Sequence, residues 1–246
     1  MNIDLFNLLE TKRKHVRKYN NKIPPKEIIE KALWKAWKTS PSKNNAMPYQ
    51  ALIWGPNKQE YKDAIHSLVV KKHKDVEDKA VKDGLATKTQ NVKLGVVENP
   101  YYRHVKYNPY LITVHSRLST PNKFYQKKVE EGHFYDQGFE SHIEKIIDSV
   151  AVEVGIFIAN LAAYLLEEGL DITYNSCFKR DVKEWHKVGL NMVEFRPIIF
   201  LSCGYGEKYK RDDLKNPEIV KLYGEHLKDI VSWDVKPEMK DIIKWM

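Results

Sequence analysis

The stretch Ser40-Pro41-Ser42-Lys43-Asn44-Asn45-Ala46-Met47-Pro48-Tyr49 lies between a strong helix pattern and a strong strand pattern, and its reading decides the rest of the chain. Two prolines, two serines and two asparagines make a fixed turn rich in hydroxyl, amide and backbone N–H groups, chemistry suited to gripping a polar ring or a phosphate. The plain alternative is an ordinary helix-to-strand connection, since many loops of this composition carry no function.

Upstream, Pro25 is placed at the first helical position, and Ile28, Ile29, Ala32, Leu33, Ala36 and Trp37 recur on one apolar face until Thr39. Further upstream lies the densest basic cluster, Lys12-Arg13-Lys14-His15-Val16-Arg17-Lys18. It reads as a solvated helix end or targeting patch, or as a short extended segment, interrupted by Val16 and Tyr19, whose arginines converge on one phosphate. Residues 4–12 before it read as a short first helix.

Downstream, Ala51 to Trp54 is a buried strand stopped by Gly55-Pro56, and Asn57 is placed as the cap of a helix carrying Tyr61, Ala64, Ile65 and Leu68. From about residue 69 to 108 the pattern is polar and weak, which leaves a lid or an unmarked helix. His66 and His73, without acidic or cysteine partners, read as surface histidines. Tyr110 to His115 is a strand by its β-branched and aromatic content. An insert at about 116–140 carries Phe124, Tyr125, Phe134 and Tyr135, a flap over substrate or a loop anchored by its rings.

The longest helix is read from Ser141 to Glu168, striped at first and apolar nearly all round from Ile156 to Leu166, so it is expected to be buried on every side, in a domain centre or a dimer interface. Glu153 and Asn160 on it need partners, expected to be backbone groups or water. Gly169 ends it. Asp171 to Asn175 is a short strand, Ser176-Cys177-Phe178 a loop, Val182 to Val188 a helix, and Pro197 to Cys203 a central strand. The following Gly204-Tyr205-Gly206 lacks the third glycine of a dinucleotide fingerprint and is rejected as one. Lys208, Lys210 and Arg211 form a second basic cluster. A C-terminal tail at about 212–246 holds Trp233, Ile242, Ile243 and Trp245, which need a surface to cover.

With 246 residues, 42% of them hydrophobic, and no repeat or linker, the chain reads as a single domain over 1–246. The apolar run from Val154 to Leu166 is shorter than the roughly 20 residues a bilayer span takes, and no secretory signal is read, so no membrane association is expected. Cys177 and Cys203 alone make no disulfide framework or metal motif, and a cytoplasmic location is expected. Cys177 has no general base beside it and reads as a plain thiol rather than a nucleophile. The net charge of +8 comes from lysines interleaved with acids, a solvated face rather than a nucleic-acid groove.

Three separated stretches resemble one family, the FMN-dependent nitroreductases. Arg13-Lys14-His15-Val16-Arg17-Lys18-Tyr19 resembles their N-terminal Arg-Arg-Ser-x-Arg-x-Phe segment, and Ser40 to Tyr49 is similar to their Ala-Pro-Ser-Ser-x-Asn-x-Gln-Pro-Trp loop at Pro41, Ser42, Asn45 and Pro48. Arg196 to Tyr205 is similar to their late strand ending in Gly-Tyr. The resemblance implies an α+β fold with a central, mostly antiparallel sheet flanked by helices, a long buried helix at a homodimer interface, and one FMN per subunit interface. It assigns the FMN phosphate and ribityl chain to Arg13, Lys14, His15 and Arg17, with Lys210 or Arg211. It assigns Pro41, Ser42, Lys43 and Asn45 to the flavin bound mainly by the other subunit, and the backbone at Ser176 and Cys177 to the flavin N5 edge. The departures are His15 for serine, Lys43 for the second serine, Met47 for glutamine, Tyr49 for tryptophan and Cys177 for glycine. Lys43 adds a positive charge that favours an anionic reduced flavin.

The implied activity is ping-pong reduction of nitroaromatic, quinone or similar flat acceptors by NAD(P)H, with the flavin carrying the chemistry and no catalytic side chain or metal. The alternatives are a specialised family reaction, reductive dehalogenation or flavin breakdown, and a non-catalytic basic module that binds nucleic acid.

Overall fold

The structure is a computed structural model that describes residues 16, 19–42, 47–83, 103–117, 127, 130–132, 143–206, 242 and 243. In chain order its elements are α1 (Lys26–Thr39), β1 (Tyr49–Trp54), α2 (Gln59–Lys82), α3 (Arg103–Lys106), β2 (Tyr110–Ser116), α4 (Ile143–Glu167), β3 (Asp171–Asn175), α5 (Val182–Lys187) and β4 (Pro197–Gly204). The strands form one sheet in the order β1-β2-β4-β3, and each neighbouring pair is antiparallel.

Alternation along the strands builds two cores, one on each face. Ile112, Val114, Ile172, Leu201 and Cys203 pack with Ile29, Ala32 and Ala36 of α1 and with Val154, Phe157, Ile158, Leu161 and Leu165 of α4. Trp54, Leu111 and Phe200 face the other way, onto Ile65, Leu68 and Val69 of α2 and Trp185 of α5. The result is α+β, a four-stranded antiparallel sheet between helices.

The stripe on α1 is narrower than the sequence pattern. Pro25 precedes the helix as its N-cap, with φ −56° and ψ 138°, instead of opening it. Small alanines face the core, whereas Trp37 is 54% exposed and Trp34 55%. The turn before α2 holds Asn57, and the helix begins at Gln59, so Asn57 is not its cap. Much of the weakly patterned stretch after residue 69 is helix: α2 runs on to Lys82, and α3 is tied to it by buried polar groups. Lys62 Nζ donates to the Asn108 carbonyl at 2.8 Å, and Asn108 Nδ2 donates to the carbonyls of His104 (2.6 Å) and Val105 (2.8 Å), satisfying the end of α3. Burial holds the Lys62 ammonium below its usual range. His66, read as a surface residue, is buried against this junction, and desolvation, then Lys106, lowers its pKa.

The long helix α4 is not buried on every side. Val150, Val154, Phe157, Ile158, Leu161, Ala162, Leu165 and Leu166 are buried, but Val152 is 64% and Ile156 37% exposed, and Gly155 and Ala159 are exposed beside them. By length and composition Val150–Glu167 is apolar enough to cross a bilayer, because the apolar stretch begins before Val154, at Val150; half of it packs inside the protein. Gly169 takes φ +79°, and the N–H groups of Leu170 and Gly169 return to the carbonyls of Leu165 (2.9 Å) and Leu166 (3.0 Å), a Schellman stop.

The chain divides into two compact units, Met1–Glu207 and Lys208–Met246. All the named elements belong to the first; of the second, Ile242 and Ile243 are described, both exposed. The first helix read at 4–12, the aromatics of the 116–140 insert, and Trp233 and Trp245 lie outside the described residues.

One buried polar chain crosses the second core. Trp54 Nε1–H donates to Thr113 Oγ1 (2.9 Å), the Thr113 hydroxyl meets His115 Nε2 (2.8 Å), and His115 Nδ1 faces the Phe195 carbonyl (3.3 Å). With the ring edge-on to Trp185 at 5.2 Å, burial pulls the His115 pKa down from 6.5 to about 4. The unfolded chain therefore binds this proton at a higher pH than the folded one. The contribution is complete above about 6.5, is lost as pH falls to about 4, and amounts to about 3 kcal/mol at ~1.4 kcal/mol per pKa unit. Urea unfolding at stepped pH is expected to show that acid loss in the wild type and a flatter profile in His115→Gln; identical profiles would exclude His115 as its source.

Candidate functional site

The connection after α1 is held to α4 at its first described end, by Ser40 and Ser42, while its far end at Met47 and Pro48 is held by Ser42 and Arg117. Ser40 Oγ–H donates to the Ala36 carbonyl (2.6 Å) and accepts from Asn160 Nδ2 (3.0 Å). Ser42 Oγ–H donates to Glu153 Oε2 (2.6 Å) and accepts the Met47 N–H (2.8 Å). Glu153 and Asn160, polar on an apolar helix, thus take side-chain partners from this turn rather than the backbone groups or water expected for them. Met47 stands at φ +46°, a left-handed conformation costly for a side chain with a Cβ. It persists because its N–H is bound by Ser42 and its carbonyl accepts from Arg117 Nε (2.8 Å), while the Arg117 N–H bonds the Pro48 carbonyl (3.0 Å). Burial, and then the Glu153 carboxylate, push the Tyr49 phenol up to about 12.

At the far edge of the sheet, β3 carries the N-terminal segment. Val16 N–H donates to Thr173 Oγ1 (3.0 Å), whose own O–H returns to the Val16 carbonyl. Tyr19 OH donates to the Ser202 carbonyl (2.9 Å), Asn20 N–H to the Tyr205 carbonyl (2.8 Å), and Tyr19 bridges Gly206. The two residues that interrupt the basic cluster are therefore its anchors. Gly206 permits this approach: a Cβ there would stand 2.6 Å from Val16 Cγ1, and its N–H is fixed by Asp171 Oδ2 at 2.9 Å. The rejected fingerprint glycine serves a close backbone passage.

Ser176 and Cys177 leave the end of β3 as an exposed turn, closed by Asn175 Oδ1 accepting the Cys177 N–H at 2.7 Å. This N–H, part of the backbone assigned to a flavin N5 edge, is engaged within the turn. Tyr49 pairs with Ser116, His115 with Pro197, and Asn175 with Phe200, so the Ser40–Tyr49 turn and the Ser176–Cys177 turn occupy one end of the sheet. They stand at its opposite edges, three strand spacings or roughly 14 Å apart.

Of the predicted site residues, Pro41 is exposed, Ser42 half-buried, and Ser176 and Cys177 exposed. Arg13, Lys14, His15, Arg17, Lys43, Asn45, Lys210 and Arg211 lie outside the described residues. The structure adds Glu153, Asn160, Arg117, Thr173 and Asp171 as supports. The first two were marked in the sequence by their polarity on an apolar helix; the other three carried no signal, because each acts through a contact distant in sequence.

The Nitroreductase family model matches residues 11–205. The chain belongs to the nitroreductase family. No curated protein sequence matches this nitroreductase-family chain significantly. Among solved structures, a BluB-like flavoprotein from Clostridium difficile 630 is 17% identical, with 99% of each chain covered and a TM-score of 0.61. A nitroreductase family protein from Streptococcus pneumoniae TIGR4 is 16% identical over 84% of this chain and 92% of that one, TM-score 0.53. Iodotyrosine deiodinase, solved with FMN and 3-iodo-L-tyrosine, is 22% identical over 84% of this chain and 94% of that one, TM-score 0.54. These likenesses establish the nitroreductase fold expected from the sequence.

Removing the Ser42 hydroxyl deletes a hydrogen bond to a carboxylate and the closure of Met47. Ser42→Ala is expected to lower the unfolding free energy by about 2 kcal/mol in urea titration. A change below about 0.5 kcal/mol would mean that the turn is held by other contacts.

Proposed function

We propose that the chain is an FMN-dependent oxidoreductase acting as a homodimer, which takes electrons from NAD(P)H and passes them to flat acceptors such as nitroaromatics and quinones in a ping-pong sequence. The observation that carries this reading is the separation of the two segments that resemble the family's: the hydroxyl-amide turn and the anchored basic segment stand at opposite edges of one sheet. In this reading the turn of a second copy reaches the flavin held by the basic segment; the turn is seated on α4 beside its exposed Val152 and Ile156. An apolar face of that kind on a long helix is suited to packing against its own copy.

The residues present fit the cofactor in kind. Arg13 and Arg17, on the segment that Val16 and Tyr19 tie to β3 and β4, would hold the phosphate dianion, and His15 would donate to it. The partner's Pro41, Ser42, Lys43 and Asn45 would cover the ring, and the Ser176–Cys177 turn would border its reacting edge. When bound, FMN supplies hydride acceptance and electron return; the chain supplies position, charge and exclusion of water. Arg117 and Ser42 hold Met47 in its left-handed conformation, which fixes the described end of the turn. A cytoplasmic setting accords with the free thiols, Cys177 exposed and Cys203 buried.

The test is purification with FMN, absorbance near the flavin bands, gel filtration, and anaerobic titration with NADH and NADPH followed by a nitroaromatic. A yellow dimer reduced by either dinucleotide and reoxidised by the acceptor is expected. Arg13→Gln/Arg17→Gln is expected to weaken FMN binding at least tenfold, and Ile156→Glu to give a colourless monomer with its helices intact. A wild-type monomer that ignores FMN in calorimetry would end the proposal.

A further inference from the structure

A cleft of about 330 Å³ lies on the outer side of the Ser176–Cys177 turn, lined by Lys72, Ser176, Phe178, Lys179 and Arg180. Three of the five side chains are cations. Among the described residues only Lys179 is neutralised, by Asp75 from α2. Among the described residues Lys72 has no carboxylate partner, although Lys71 beside it takes Glu184. Arg180 likewise meets no carboxylate there: one guanidinium nitrogen donates to the Ser176 carbonyl (3.3 Å) and the group lies 5.7 Å from the Phe178 ring centre.

The cleft floor is rigid. Phe178 is 2% exposed, stacked against Phe200 at 4.4 Å and edge-on to Trp185, and the Lys179 N–H reaches back to the Leu68 carbonyl of α2. Asp181 caps α5 immediately after Arg180, accepting the Lys183 N–H at 2.9 Å, which fixes where the loop ends. Two cations with no carboxylate partner among the described residues thus line one cleft, whose floor is packed against α2 and β4. An arginine already tethered through one nitrogen keeps its remaining N–H groups for a ligand, and a planar fork with an ammonium beside it matches a phosphate ester.

We propose that this cleft binds a phosphate group of the electron-donating dinucleotide, with Arg180 and Lys72 as its ligands. This rests on the reading of the Ser176–Cys177 turn as the border of the flavin's reacting edge, since the cleft shares Ser176 with that turn. The phosphate is either the pyrophosphate common to NADH and NADPH or the 2′-phosphate of NADPH.

The experiment compares wild type, Lys72→Gln/Arg180→Gln and Lys74→Gln, an exposed lysine of the same helix outside the cleft lining. Calorimetry with inorganic pyrophosphate, with and without added FMN, is expected to show binding that the double variant weakens about tenfold and Lys74→Gln leaves in place. In steady-state assays the double variant is expected to raise KM. A rise for NADH and NADPH together assigns the pyrophosphate; a rise for NADPH alone assigns the 2′-phosphate. Equal pyrophosphate binding by all three proteins, an equal loss in Lys74→Gln, or unchanged KM for both dinucleotides would overturn the proposal. Because the pyrophosphate arm is read without flavin as well, failure of the cofactor reading appears separately, as a colourless wild type.

Discussion

A long apolar helix can carry a carboxylate and an amide near its packed face only where something beside it completes their hydrogen bonds. In this chain Ser40 and Ser42 do so for Asn160 and Glu153, and most of the turn's geometry follows from that constraint. The same serines fix the direction in which the chain leaves α1, the left-handed Met47 that Arg117 then completes, and the point at which β1 enters the sheet at Tyr49. Core and candidate site are thus joined by two short polar contacts rather than built separately. A helix that was only a hydrophobic rod would pack as well and position nothing.

The second edge of the sheet follows a different logic. The basic segment has few apolar residues with which to hold itself, and Val16 and Tyr19 supply its described anchors through a threonine hydroxyl, a strand carbonyl and the bare Cα of Gly206. In the proposed arrangement, the two groups of cofactor contacts stand at opposite edges of one sheet, and the apolar residues exposed on α4 are where a second copy would pack. Under the proposed function, cofactor binding and association become one equilibrium.

The strands were legible because each is a short β-branched or aromatic run with clear stops; the Asp171–Asn175 strand matches residue for residue. Gly169 was legible as a helix stop for the same local reason. The extension of α2 to Lys82 was not, because its second half is charged almost throughout and carries no apolar period to read. Trp37 was misplaced because a period of 3.6 puts it only on the rim of the stripe, whose centre is filled by Ile29, Ala32 and Ala36. His66 was read as surface because its burial comes from a junction with α3, far along the chain. The flavin-type motifs were readable as a resemblance, whereas the serine-to-helix contacts that shape the turn span more than a hundred residues and leave no local trace.

The docking of Val16 on Thr173 has a temporal side. Its contact spans 157 positions, and that of Tyr19 with Ser202 spans 183. Val16 and Tyr19 are synthesised long before the surface that receives them, which is not complete until nearly the whole first unit has been made. Contacts of such range close late, since the loop entropy must be overcome before they return anything. During synthesis Val16 and Tyr19 have nothing to dock on, and the step that berths them also covers the sheet edge beside β3.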